Sequence, residues 1–201
     1  MPPANTTYHH GDLPAACLSA ALELVEEGGA TALSLRAVAR RARVSPAAPY
    51  RHYADREALV SAVAAVGYRE LAERLAAAHP APSTPEQLAS VGVAYVEFAL
   101  ERPALFRMMF GEPCDRDNDE RVAATAAVSL YLREIVARCF PQADAEALAP
   151  AIWALVHGLA FLHLDGKLDA TAPAAVGERV TAAIQALLTG SSTDTRATAR
   201  A

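Results

Sequence analysis

The sequence predicts an all-α protein: an N-terminal three-helix helix-turn-helix module, then a C-terminal helical domain, about nine helices in all. Three observations carry that expectation. Alanine dominates an apolar fraction of 53%, and alanine with scattered Leu, Val and Glu is a helix former's mixture. Apolar residues recur at three- and four-residue spacing along most of the 201 residues, with no alternating Val/Ile/Thr run of the kind a half-buried strand requires. Residues 34–56 carry six arginines against one acid, Asp55, in a chain whose net charge is −5.

Taken in order, Met1 to Thr7 is rich in Pro, Asn and Thr and reads as part of a flexible arm over residues 1–11. A first helix follows from an Asp12 cap to Glu27, stopped by Gly28-Gly29, with Leu18, Ala21, Leu22 and Val25 as its buried stripe. The second starts at Ser34 and buries Leu35, Val38, Ala39 and Ala42. A third opens at Ser45-Pro46, a capping serine followed by proline at the first helical position. Two short helices with a basic second element form the arrangement that places a recognition helix in the DNA major groove.

A long helix is expected from Asp55 to about Ala78, with Leu59, Val63, Val66, Leu71 and Leu75 inward, joining the basic module (residues 1–56) to an acidic body (57–190). Past the proline-rich break at 79–85, Leu88, Val91, Tyr95 and Phe98 mark another helix, ending near Arg102-Pro103. Leu105 to Phe110 forms a short aromatic helix, Glu112 to Asp119 a charged loop, and Glu120 to Phe140 the next helix. Two helices remain, Asp144–Asp165 and Ala174–Leu188, before a polar tail over residues 191–201.

The last pair is apolar on more than one face. Leu148, Ile152, Leu155, Leu159 and Leu162 form one stripe, and Val176, Val180, Ala183 and Leu187 another. Such helices need partners on several sides. Burial within one subunit satisfies that need; a two-fold four-helix contact in a homodimer is the sharper reading.

The charge distribution favours a focused DNA contact over indiscriminate coating. Cys17, Cys114 and Cys139 are odd in number and far apart, so neither a zinc site nor a disulfide framework is indicated. No signal peptide and no 18-residue apolar span is apparent, which makes a soluble, cytoplasmic, nucleoid-associated protein with no membrane partner the default. No cofactor or metal is expected. His9, His10 and Asp12 could be drawn as a metal cluster but have no further ligands, and His157 and His163 point to different helix faces. With no nucleophile elbow, phosphate-binding glycine loop or paired carboxylates, there is no catalytic set and the chain is not read as an enzyme.

The segment Ser34-Leu-Arg-Ala-Val-Ala, Ala42-Arg-Val-Ser-Pro-Ala-Ala-Pro-Tyr50-Arg-His-Tyr53-Ala-Asp-Arg-Glu-Ala-Leu59, with the preceding Ala20-Ala-Leu-Glu-Leu-Val-Glu-Glu-Gly-Gly29, resembles the DNA-binding domain of the TetR family of transcriptional regulators. Trp153-Ala-Leu-Val-His157-Gly158 is similar to a Trp…His-Gly motif in one branch of that family, and the Tyr8-His9-His10-Gly11-Asp12 lead-in suits the same branch. Two positions depart from the pattern. Arg43 stands where the turn usually has glycine, and a positive φ there costs on the order of 1 kcal/mol. Arg56 stands where lysine is common.

The resemblance implies roles by position. Ser34 and Ser45 would offer hydroxyl and backbone N–H groups to phosphate. Tyr50, His52 and Arg56 would grip the backbone, with Arg36 and Arg43 beside them. Pro46, Ala47 and Ala48 would offer thymine methyls apolar contact, and Arg51 would pair with guanine. For Tyr53 the reading is core packing, and for His52 a solvated imidazole is the alternative.

The implied function is a sequence-specific regulator: a ligand-released repressor binding a palindromic double-stranded operator as a homodimer. A ligand-independent adaptor or activator is the alternative. A small apolar or aromatic effector would lie among Tyr95, Phe98, Phe106, Met109, Phe110, Tyr131, Trp153, His157 and Phe161, unless those side chains are simply core. A large closed cavity near Trp153 would favour the sensor.

Overall fold

The structure, a computed structural model, describes residues 13–112 and 117–191. The expected arm, the Asp12 cap, Cys114, part of the charged loop and the tail from residue 192 lie outside the described residues. Eight α-helices are present and no strand among the described residues: α1 (Leu13–Gly28), α2 (Leu35–Arg41), α3 (Arg56–Ala78), α4 (Pro85–Glu101), α5 (Pro103–Gly111), α6 (Asp119–Cys139), α7 (Ala145–Leu164) and α8 (Pro173–Ser191). The chain is all-α with an N-terminal head, α1 to the start of α3, and a C-terminal helical body.

Capping side chains set most helix starts. Ser34 Oγ accepts the Ala37 N–H at 3.2 Å, Asp55 Oδ1 accepts the Ala58 N–H at 2.9 Å, and Asp144 Oδ1 accepts the Glu146 N–H at 2.9 Å. Proline occupies the first turn of α4 and α5, where its missing N–H leaves no bond unmade.

The recognition element differs from the expected third helix. Only a 3-10 turn, Pro49–Arg51, forms there, closed by Arg51 N–H to Ala48 O (3.2 Å) and His52 N–H to Pro49 O (3.0 Å). Pro49 is the reason: it has no N–H to donate to Ser45 O, and its ring would collide with that carbonyl in an α-helix. The Ser45 carbonyl instead accepts the Ala48 N–H at 2.9 Å, the tighter i to i+3 pattern. This turn accounts for eight α-helices in place of about nine. A second 3-10 turn, Ala30–Ala32, was not foreseen.

The turn before it closes as the sequence pattern implied. Val44 N–H reaches Ala39 O at 3.0 Å and Arg43 N–H reaches Arg40 O at 3.3 Å, with Arg43 at φ 56°. That is a Schellman cap with a non-glycine residue in the left-handed position.

One hydrophobic cluster runs from Cys17 in α1 to Ile184 in α8. In the body, α4 lies against α3, α7 and α8, while α6 lies against α3 and α7. Helix α5 packs on α1 and the Ala30–Ala32 turn as well as on α3 and α4. It approaches α3 so closely at Gly67 that a Cβ there would sit 2.5 Å from Met109 Sδ. Helix α7 holds an 18-residue window of mean hydropathy 1.7, long and apolar enough to cross a membrane by length and composition. This corrects the expectation that no such span exists. The helix packs inward through Ala149, Ile152, Val156, Ala160 and His163, yet only 33% of that window is buried.

Replacing Arg43 by glycine removes the left-handed strain without touching a buried side chain. Urea denaturation should show Arg43→Gly more stable by about 0.5–1 kcal/mol, and Arg43→Val less stable than the parent.

Candidate functional site

The head presents a compact basic surface, and not all its arginines are free. Arg41 is tied to α1, donating to Glu23 at 3.1 Å and to Glu27 at 2.5 Å, and this hydrogen bond holds the Glu27 carboxyl below the usual range. Arg56, half-exposed, is engaged by the protein's own groups as well. Its Nη2 donates to Ala30 O and to Glu112 Oε2, both at 2.9 Å, and its Nε to Leu33 O at 3.3 Å. A phosphate would have to compete with that bracket, so Arg56 is placed as a joint between α3, the Ala30–Ala32 turn and the end of α5. Arg36, Arg40, Arg43 and Arg51 are exposed.

Around the recognition turn, Ser34, Ser45, Pro46, Ala47, Tyr50 and His52 are exposed. Tyr50 is 51% exposed, the large value expected of a side chain with no place in the core. Ala48 and Tyr53 are buried, at 8% and 9% exposure. The Ala48 methyl is therefore not on the outer surface, whereas Ala47 is. Tyr53 packs in the core cluster with Leu35 and Val38, while Val44 lies against it, half-buried.

The aromatic set of the body separates into core and wall. Phe106 has no exposed surface, and Tyr95, Phe98 and Met109 are buried. Phe106 is ringed by Tyr95, Phe98, Phe110, His157 and Phe161 with centroids 4.8–6.5 Å apart, mostly edge-on or tilted. Those contacts make Phe98, Phe106 and Phe161 packing residues, and Met109 packs against Gly67 of α3. Phe110, Trp153 and His157 instead line an open cleft of about 260 Å³, with Tyr68, Pro150 and Ala154 completing its wall. Tyr68 comes from α3, Phe110 from α5 and the rest from α7.

Sequence reasoning missed Tyr68, Pro150 and Ala154. Pro150 carried the available signal, because a proline inside a helix marks a site where the backbone is opened. On the inner side of Trp153, a small apolar void of about 30 Å³ is lined by Tyr95, Tyr131 and Ile152 among others. That void has room for about two or three waters, far less than a small-molecule ligand requires.

A short polar chain crosses this aromatic region. Trp153 Nε1 donates to the Tyr95 hydroxyl at 3.1 Å, and that hydroxyl lies 2.9 Å from His157 Nδ1. Burial pushes the Tyr95 hydroxyl well above its ordinary pKa, and it pushes His157 down. Burial thus favours the neutral imidazole.

The two apolar stripes of α7 and α8 also divide. Ile152, Val176 and Val180 are buried in the chain's own core. Leu148, Leu155, Leu159 and Ala183 are half-buried, while Leu162 and Leu187 are 43% and 36% exposed. Among the described residues no group of three metal-ligating side chains forms.

With this geometry in hand, the comparisons are specific. Residues 18–63 match the model for bacterial regulatory proteins of the tetR family, and residues 88–187 match the tetracyclin repressor-like C-terminal domain. No curated protein matches the chain. Among solved structures, a protein described as of unknown function from Rhodococcus sp. RHA1 is 34% identical, with a TM-score of 0.78 over 92% of this chain and 98% of that one. A tetR-family regulatory protein from Rhodococcus RHA1 has 22% identity and a TM-score of 0.65, covering 87% and 96% of the two chains. PfmR, a TetR family transcriptional regulator from Thermus thermophilus, has 20% identity and a TM-score of 0.62, covering 84% and 94%; these last two share the fold. The basic head built on Ser34–Arg56 and the helical body behind it, matched by one family at both ends, identify the chain as a TetR-family DNA-binding transcriptional regulator, a non-enzymatic protein.

Proposed function

We propose that the chain is an effector-released repressor that binds a palindromic operator as a homodimer in the bacterial cytoplasm. The observation that carries the release mechanism is the position of α5. Its Phe110 forms part of the cleft wall, and Glu112, two residues on, bonds Arg56, which in turn holds the Ala30 and Leu33 carbonyls just ahead of the Ser34 cap of α2. A ligand wedged against Phe110 acts on a short helix fastened at that same end to the DNA-reading head. Binding then favours a head orientation in which two recognition turns no longer match the ~34–36 Å half-site spacing. Helix α3, which carries Arg56 at its start and Tyr68 in the cleft, moves with α5 as the lever.

The dimer rests on the outward stripe of α7 and α8. A helix as apolar as α7, with two thirds of its most apolar window unburied, calls for a second copy. At the DNA, Arg51 is the candidate reader of guanine and Ala47 with Pro46 the candidate apolar contact. Ser34, Ser45, Tyr50, His52, Arg36 and Arg43, all exposed, are the candidate contacts to the phosphate backbone. The small void beside Trp153 favours a second reading, an adaptor with no ligand, and that reading predicts that no small molecule loosens the operator complex.

Selection of bound sequences from a random DNA pool should return a palindrome. On that operator Arg51→Ala should cost about 1–3 kcal/mol and relax one base pair per half-site. Ala47→Gly should cost less, and Ala48→Gly should act through stability alone.

Breaking the joint with Glu112→Ala should leave operator affinity within a few-fold. The effect of a releasing ligand, of order 5–150-fold in coupled systems, should fall towards none, as read by fluorescence anisotropy with labelled operator.

Leu162→Glu with Leu187→Glu changes only exposed side chains. Sedimentation should show the assembly falling to the 21.1 kDa chain, with loss of tight operator binding. A parent protein that sediments as a monomer on its operator would sink the dimer.

A further inference from the structure

We infer that the cleft walled by Tyr68, Phe110, Trp153 and His157 takes a flat, uncharged aromatic ligand bearing a hydrogen-bond acceptor, and that the Nε2–H of His157 reads that acceptor. The inference rests on the reading of this cleft as the effector site and names what that site selects.

Proton counting fixes the donor. The Tyr95 hydroxyl is buried and has one hydrogen to place. It accepts the Trp153 indole N–H, which can only donate, and its one nearby acceptor is His157 Nδ1 at 2.9 Å. Were Nδ1 protonated instead, two N–H groups would converge on one oxygen and the tyrosine hydrogen would be orphaned in the core, at a cost no neighbour offsets. The chain therefore runs from Trp153 through Tyr95 to His157, leaving the imidazole neutral with its proton on Nε2. That N–H has no protein acceptor among the described residues.

The rest of the wall excludes other ligand classes. Its six lining residues carry no formal charge, so among the described residues an organic ion would meet no counter-charge in the wall to offset its lost hydration. Trp153 has spent its indole N–H on Tyr95, and the Tyr68 hydroxyl donates to Met109 O at 3.3 Å. Pro150 has neither side-chain polarity nor a backbone N–H. Ring faces and edges supply the remaining surface: the His157 and Phe110 centroids lie 4.6 Å apart at 68°. Aromatic walls of that kind suit a planar guest. A volume of about 260 Å³ falls at the small end of ligand sites and suits a bicyclic ring better than a long acyl chain.

Calorimetric titration of the full chain with three matched probes tests the inference: 2-acetylnaphthalene, its hydrocarbon isostere 2-isopropenylnaphthalene, and 2-naphthylmethylammonium. The ketone should bind about tenfold more tightly than the hydrocarbon, and the ammonium most weakly. His157→Phe should bring ketone and hydrocarbon within twofold of each other while still binding both. Because that variant could fold poorly, 15N NMR of histidine-labelled parent protein gives an independent readout. Its His157 signals should show a protonated Nε2 and an unprotonated Nδ1, and Tyr95→Phe should abolish that bias.

A hydrocarbon bound as well as the ketone, an ammonium bound most tightly, no binding of any probe, or a protonated Nδ1 in the parent would each overturn the inference. Operator release separates it from the sensor reading. Ketone selectivity through His157 without any change in operator affinity keeps the site and removes its regulatory role. Release by compounds that ignore His157 keeps the sensor and removes the assignment made here.

Discussion

Complete burial of the Phe106 ring is the constraint on which the rest of the molecule depends. The ring sits mid-way along a nine-residue helix too short to be stable alone, and its aromatic neighbours on α4 and α7 hold it in place. With its middle fixed in the body, α5 has both ends fastened elsewhere. At the leading end Arg102 donates to Glu26 of α1 and Glu70 of α3, each at 2.6 Å. At the trailing end Glu112 holds Arg56. Along the outer side Arg107 donates to Leu164 O, at the C-terminus of α7, and to Asp165. These ion pairs are partly exposed and individually weak. Their worth is geometric: they decide which parts of the head and body a movement of α5 must carry with it.

Local signals were legible in the sequence because their causes are local. The serine and aspartate caps at Ser34 and Asp55 and the left-handed Arg43 all follow from bonds spanning a few residues. Pro49 is local too, and its effect reaches beyond one bond. Lost hydrogen bonding and a steric clash at one position turned a helix into a single 3-10 turn. Long-range facts were not available. Arg56 sits where a phosphate contact is expected by position, and only the fold reveals Ala30, Leu33 and Glu112 around it. Likewise Ile152, Val176 and Val180 share a spacing with Leu162 and Leu187, but the crossing of α4 with α7 and α8 decides which of them face inward. The aromatic cluster was ambiguous for the same reason, since a ring at helical spacing fits a core and a cleft equally well.

The electrostatic economy of the head follows from the same packing. Six arginines identify the module, yet Arg41 and Arg56 serve its internal architecture, so fewer remain to meet the phosphate backbone than composition implies. Non-specific attraction scales with the phosphates neutralised, and an acidic body opposes it further.

Trp153 gives the molecule a property of a different kind. It is the single tryptophan in the chain, its indole N–H is engaged by Tyr95, and its ring belongs both to the open cleft and to the inner void. Emission excited selectively at the indole therefore arises from the wall shared by the cleft and the inner void. The chain carries an intrinsic, label-free optical reporter of that wall, sensitive to any change in the indole's surroundings.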